Sequence, residues 1–267
     1  MKAASFDYLA AQDINQVLAA QSSGDGAKII AGGQSLGPML NLRLVRPRLL
    51  IDISRIDELR KIETRGDDFW IGAATTHAQI EDRAEGMLQA VASGIAYRSI
   101  RNRGTIGGSM AHADPAADWP LALSTLGATL HIRGPKGARS VSATDFMIGA
   151  FTSVLNEQEI IETIQVPRPS AAARWGYYKF CRKTGEFPEA SGAVFLDPDR
   201  RVANVFVGAL NSAPQRCAEI ARKLAQRETV DMAACESTLA SVAGLDGVSL
   251  RMHAATLMRA ISQALLP

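Results

Sequence analysis

The 267-residue sequence predicts an α+β protein: two N-terminal α/β segments followed by a C-terminal segment of antiparallel sheet with helices. Three observations predict it. Short apolar strands and amphipathic helices alternate up to about residue 56, which reads as a small β-α-β unit. Pro167-Arg168-Pro169 reads as a linker that closes a second, mixed segment. Beyond it the order changes to strand-rich, then helix-rich, the pattern of an α+β domain. The expected boundaries are therefore 1–56, 57–167 and 168–267.

In chain order, Phe6–Leu9 reads as a short strand. Asp13 can cap a helix with an apolar face of Ile14, Val17 and Leu18. Gly24-Asp25-Gly26 turns the chain into a strand at Lys28–Ala31. Leu36–Leu44 reads as a helix with Pro38 tolerated in its first turn, ended by Arg46-Pro47. Leu49–Ile53 is a strand of buried type. Leu59–Glu63 and Phe69–Ala73 read as strands around Arg65–Asp68. Thr76 is a good N-cap for a helix to about Ala84, and a second helix runs from Glu85 to about Tyr97. Asp118 opens a helix through Leu126. Ala128–Arg133 and Ala138–Ser142 form a hairpin across Gly134-Pro135-Lys136-Gly137, Thr144 can cap a helix Asp145–Gly149, and Glu159–Val166 is a strand. Arg174–Cys181, Ala190–Leu196 and Val202–Leu210 read as antiparallel strands, the last two joined by the Asp197-Pro198-Asp199-Arg200 turn. Helices follow at about 218–226, 231–241 and 249–266.

Two glycine-rich stretches carry the chemistry. The first is Lys28-Ile29-Ile30-Ala31-Gly32-Gly33-Gln34-Ser35-Leu36-Gly37. Gly32 and Gly33 can take positive φ and admit a ligand close to the backbone. Exposed N–H groups and a helix start near Ser35 suit a phosphate or pyrophosphate; the alternative is a tight turn with no ligand. It is neither standard nucleotide loop. Pro38 stands where a Walker loop needs Lys, and Ile29 stands at the third glycine of a Rossmann fingerprint begun at Gly24. Gly33-Gln34-Ser35-Leu36-Gly37 also matches a nucleophile elbow, which would make Ser35 a hydrolase nucleophile. Only 34 residues precede it and none form an oxyanion loop. The second stretch is Arg98-Ser99-Ile100-Arg101-Asn102-Arg103-Gly104-Thr105-Ile106-Gly107-Gly108-Ser109, where cations, hydroxyls and glycines together suit a polyanion or a sugar; the alternative is an exposed basic loop. Asp118 is either a helix cap or an acceptor for ribityl or ribose hydroxyls. If it is the acceptor, Asp118→Asn is expected to weaken the ligand and spare the melting temperature of the empty protein. Lys179 is central in its strand, on an exposed face by default.

The formal net charge of +2 argues against a nucleic-acid surface. No apolar run of about 18 residues spans a membrane, and no apolar secretion signal is visible from Met1 to Ala10. A cytoplasmic protein is expected. Cys181, Cys217 and Cys235 are scattered, as are His77, His112, His131 and His253. Neither a zinc site nor an iron–sulfur cluster can be built from local motifs.

Taken together, Ala31-Gly32-Gly33-Gln34-Ser35 and Thr105-Ile106-Gly107-Gly108-Ser109, the latter preceded by Arg101-Asn102-Arg103-Gly104, give the chain a family likeness. It resembles the FAD-binding medium subunit of molybdenum hydroxylases, the carbon monoxide dehydrogenase and xanthine dehydrogenase family, along its whole length. The resemblance implies two N-terminal α/β subdomains that hold FAD and a C-terminal domain of antiparallel sheet and helices. It implies that Lys28, Ile29, Ile30, Ala31, Gly32, Gly33, Gln34, Ser35 and Leu36 wrap the pyrophosphate and adenosine side. It implies that Thr105, Ile106, Gly107, Gly108, Ser109 and His112 line the second half of the cofactor. Asp118 would bind FAD hydroxyls, Ile161 would pack near the adenine and Lys179 would approach the flavin ring. FAD would be non-covalent, since no His or Cys stands in an attachment motif. The implied partners are an iron–sulfur small subunit with [2Fe–2S] clusters and a molybdenum-cofactor large subunit, assembled as a dimer of heterotrimers. The implied task is to take electrons from those clusters and pass them to an external acceptor. The loop Arg182-Lys183-Thr184-Gly185-Glu186-Phe187 leaves that acceptor open. A stand-alone flavin or nucleotide-binding module is the alternative from another class.

Overall fold

A computed structural model describes residues 2–22, 24 and 26–266; Asp25 of the expected turn lies outside them. The chain is α+β and carries three main sheets. The first holds β1 (Asp7–Ala10), β2 (Ala27–Ile30) and β3 (Leu49–Asp52), with α1 (Ile14–Ser22) and α2 (Leu36–Asn41) as connections. β3 lies in the middle and runs parallel to both neighbours, pairing Leu49 with Asp7 on one side and with Ala27 on the other. Its buried Leu50 and Ile51 explain the apolar run. Asp13 Oδ1 accepts from Gln16 N at 2.8 Å and starts α1 as expected. α2 is shorter than the expected Leu36–Leu44 because Arg43 turns to φ +58, which no helix continues.

The second sheet, in spatial order, is β4 (Ile62–Arg65), β5 (Asp68–Gly72), β10 (Ile160–Pro167), β6 (Thr129–Gly134) and β7 (Gly137–Ser142), all antiparallel. Leu59 and Arg60 belong to a 3₁₀ turn at Asp57–Arg60, not to the expected strand; Leu59 is apolar because it plugs the core under the first sheet. Between β5 and β6 run α3 (His77–Arg83), α4 (Gly86–Gly94), α5 (Arg98–Arg101), α6 (Ile106–His112) and α7 (Asp118–Leu126). Thr76 caps α3 in a full capping box with Gln79. The single helix expected to about Tyr97 stops at Gly94, because Ala96 takes φ +40. After β7, α8 spans Ala143–Phe146 and is capped by Ser142, not Thr144. The hairpin β8 (Met147–Gly149) and β9 (Thr152–Ser153) replaces the end of the expected helix.

The third sheet is β11 (Arg174–Phe180), β12 (Ala190–Asp197), β13 (Val202–Gly208) and β14 (Gln215–Arg216), again antiparallel. Both of its faces are buried, and successive residues serve opposite sides. Ala193, Phe195 and Phe206 join the core around α7, whereas Val194, Val205 and Val207 join a second core with α9 (Ala218–Ala225), α10 (Met232–Leu239) and α11 (Gly247–Leu265). Gly176 and Gly192 let α11 lie close. A Cβ on Gly176 would sit 1.9 Å from the Ala260 carbonyl oxygen. α7 lies between the second and third sheets, and every residue from Asp118 to Leu126 is buried. Among the described residues no helix is long and apolar enough to cross a membrane.

Candidate functional site

The two glycine stretches meet. A Cβ on Gly32 would stand 2.0 Å from the Arg103 carbonyl oxygen and 2.8 Å from Gly104 Cα, so the loop after β2 rests on the chain that leads into α6. Gly33 is glycine for a different reason: its φ is +70. Gly37 N donates back to Gly33 O at 2.8 Å, and Gln34 Nε2 donates to Gly32 O at 3.2 Å. Among the described residues, none accepts a hydrogen bond from the backbone N–H of Gly32, Gly33, Gln34 or Ser35. Four successive N–H groups at this strand-to-helix turn are thus left without a described acceptor, the chemistry that an anion can satisfy.

The second stretch is not a glycine turn. Thr105 caps α6, and Gly107 and Gly108 lie inside its first turn. The N–H groups there are already paired. Ile106 N donates to Thr75 O, Gly107 N to Ala73 O, Gly108 N to Thr105 Oγ1 at 3.1 Å and Ser109 N to Thr105 O. Gly107 is required by contact, since its Cβ would meet Ala73 Cβ at 2.5 Å. Gly108 is exposed, and a Cβ there would stand 2.7 Å from Thr105 Oγ1, the cap oxygen, and 4.0 Å from Ala31 Cβ. With its N–H groups paired, this stretch is not a nest for phosphate; its glycines serve close packing on His77, Ala73 and Thr105. Two of the arginines thought to serve a polyanion are committed elsewhere. Arg98 binds Glu81 and Asp82, and Arg101 binds Glu81.

Asp118 is the first residue of α7, with Ala117 in the cap position, and its carboxylate makes no cap hydrogen bond. It is 6% exposed. Its Oδ1 accepts from Lys179 Nζ at 2.7 Å and from the Tyr177 hydroxyl at 2.5 Å, both on β11. Lys179 is thus a partner in a buried ion pair and not an exposed-face lysine. A chain of contacts joins this cluster to the glycine stretches. Trp119 Nε1 donates to His77 Nδ1 at 3.0 Å, and a Cβ on Gly104 would lie 2.8 Å from the His77 ring. His77, Trp119 and Tyr177 escape motif reading because each is recognisable only from its partner.

The accepted bond at Nδ1 leaves the proton of the neutral His77 ring on Nε2. Burial, then the charge of Arg101, pushes the His77 pKa down from 6.5 to about 4. The folded value lies below the unfolded one, so the stabilisation is complete above about pH 6.5 and is lost as pH falls towards about 4. Urea unfolding at pH 7 and pH 5 is expected to differ by about 2 kcal/mol. Equal stability at both would refute a buried neutral His77.

The remaining expected residues are spread more widely. Lys28 is exposed on β2, and Ile29 and Ala31 pack on the first core. His112 ends α6 with its ring against Phe151, 5.2 Å between centroids. Ile161 is 3% exposed in the core of the second sheet, opposite Ile132. Ser35 has ordinary right-handed helical φ and ψ rather than a strained elbow, and no histidine bonds it among the described residues. Burial pushes the Cys217 and Cys235 thiols up to about 12 and about 11. No group of three His, Cys, Asp or Glu able to hold a metal occurs among the described residues.

Comparison with known proteins shows the family and the fold. Residues 4–169 match the family described as the FAD binding domain in molybdopterin dehydrogenase. The 6-hydroxypseudooxynicotine dehydrogenase complex subunit alpha of Paenarthrobacter nicotinovorans is 35% identical over 93% of this chain and 87% of its own. The carbon monoxide dehydrogenase medium chain of Hydrogenophaga pseudoflava is 37% identical over 78% of this chain and 75% of its own. A solved structure of carbon monoxide dehydrogenase from Hydrogenophaga pseudoflava superposes with a TM-score of 0.92 at 30% identity, covering 99% and 98% of the two chains. Quinoline 2-oxidoreductase from Pseudomonas putida 86 superposes at 0.88, with 30% identity and the same coverage. These relatives are oxidoreductases, which removes the hydrolase reading of Ser35. The chain belongs to the FAD-binding medium subunits of the molybdenum hydroxylase family.

Proposed function

We propose that this chain is the electron-relay subunit of a molybdenum hydroxylase complex, with FAD as its only redox group. The observation that carries the reading is the run of N–H groups from Gly32 to Ser35 that no described residue accepts, with the exposed Gly108 of α6 close by across Ala31. These residues fit a dinucleotide: the N–H groups suit its pyrophosphate, and the exposed, side-chain-free Gly108 lets a ligand approach the start of α6. Lys28 to Leu36 would hold the pyrophosphate side, and Thr105 to Ser109 with His112 the second half. Asp118 would accept from hydroxyls, Ile161 would pack by the adenine and Lys179 would stand by the flavin. FAD, held without a covalent link, supplies reversible uptake of one or two electrons when bound; this chain binds it, orients it and sets its surroundings.

The electrons come from [2Fe–2S] clusters on a small subunit, fed by a molybdenum cofactor on a large subunit, and leave to an external acceptor. The complex is a cytoplasmic dimer of heterotrimers, and this chain divides near residues 56 and 167. The lack of a metal-ligand group among the described residues supports placing the other centres on partners. The isolated subunit loaded with FAD is expected to bleach with dithionite but not with the organic substrate of the complex. Adding both partner subunits should restore substrate-driven bleaching. Bleaching of the isolated chain at the rate of the full complex would make it a self-sufficient flavoenzyme, and a stable lone monomer that never copurifies with siblings would favour a stand-alone module.

A further inference from the structure

We propose that Tyr177 is a positioning residue for the cofactor: its hydroxyl, together with Lys179, pins one oxygen of Asp118 and thereby aims the other at the cofactor's hydroxyls. The proposal rests on the assignment of the FAD site above. Tyr177 and Lys179 stand two apart on β11, so both side chains leave the sheet on the side that covers α7. Both donate to Oδ1 of Asp118, at 2.5 and 2.7 Å. Oδ2 accepts from no described residue, yet it is not among the buried polar atoms that lack a partner, so it reaches the surface. Asp118 is thus half saturated, and the half left open is the accessible half.

The two donors are not equivalent. Lys179 carries a flexible stem with many rotamers, whereas the tyrosine ring has two torsions and a fixed length. Tyr177 as a whole is partly buried, and its hydroxyl lies deep against the carboxylate. Burial and the facing Asp118 charge raise the phenol well above its ordinary value, so it remains a donor throughout the neutral range. With Oδ1 held from two directions, the carboxylate cannot rotate about its last bond. Without the hydroxyl, Asp118 follows Lys179 and Oδ2 loses its fixed direction.

The test uses the full chain, stripped of flavin and titrated with FAD by quenching of flavin fluorescence. Tyr177→Phe keeps the ring and is expected to raise the Kd for FAD about tenfold. The same substitution in an Asp118→Asn background is expected to raise it no further, because Tyr177 acts through Asp118. An unchanged Kd in Tyr177→Phe, or the same tenfold loss in both backgrounds, overturns the proposal. Where Asp118→Asn yields no folded protein, Lys179→Met serves as the background, and independence of the two substitutions is the overturning result. A wild-type chain that takes up no FAD would instead remove the site assignment itself, which separates the two failures.

Discussion

Replacing Gly32 by alanine is expected to abolish stoichiometric flavin content and lower the melting temperature by roughly 2–12 °C. The added methyl would stand 2.0 Å from a backbone carbonyl oxygen, that of Arg103, with Gly104 Cα at 2.8 Å. Backbone cannot rotate away as a side chain tip can, so the β2–α2 loop must lift off the start of α6. Overpacking of this kind costs about 1–3 kcal/mol. The same displacement moves the loop whose N–H groups no described residue accepts. Gly33→Ala would act differently, through the strain of φ +70, and should leave the Gly32 contact intact. Full FAD occupancy in purified Gly32→Ala would show that this packing does not shape the site.

The second large effect is expected for Asp118→Asn. From the sequence alone, this change should weaken FAD and spare the empty protein. The ion pair with Lys179 changes that expectation. Removing one charge of a buried pair leaves the other unpaired, at about 3–5 kcal/mol. Asn Oδ1 still accepts one hydrogen bond, so a loss of about 3 kcal/mol is expected. The empty protein should therefore melt lower by roughly 6–12 °C. A melting temperature of empty Asp118→Asn equal to wild type would show that the pair contributes nothing to folding.

The strands of the first sheet were legible as short runs alternating with helix and turn signals, but not their order, which places β3 between β1 and β2. The third sheet was legible because its strands are apolar on both faces and its turns carry Asp197-Pro198-Asp199-Arg200. Errors came where apolar residues served the core from an irregular position, as Leu59 does from a 3₁₀ turn. They also came where a left-handed residue ended a helix, as Arg43 and Ala96 do without being glycine. The glycines of the second motif gave its place but not its form. Gly107 is small because Ala73 is near, and nothing in the local sequence names Ala73. Asp118, Tyr177 and Lys179 lie about sixty positions apart, so their shared oxygen could only be found in three dimensions.

Helix α7 has a consequence for how the chain is made. It has no solvent face, yet the strands that cover its second side end at Gly208, roughly eighty residues after Leu126. At about 5–20 residues per second of translation, a largely apolar surface waits for about 4–16 s before its cover exists. That interval is long against hydrophobic collapse and long enough for encounters between neighbouring nascent chains. Ribosome-bound chains arrested near residue 170 are expected to recruit holdase chaperones, and chains arrested after full emergence of β13 to release them. Equal recruitment at both lengths would mean that α7 finds a temporary cover of its own.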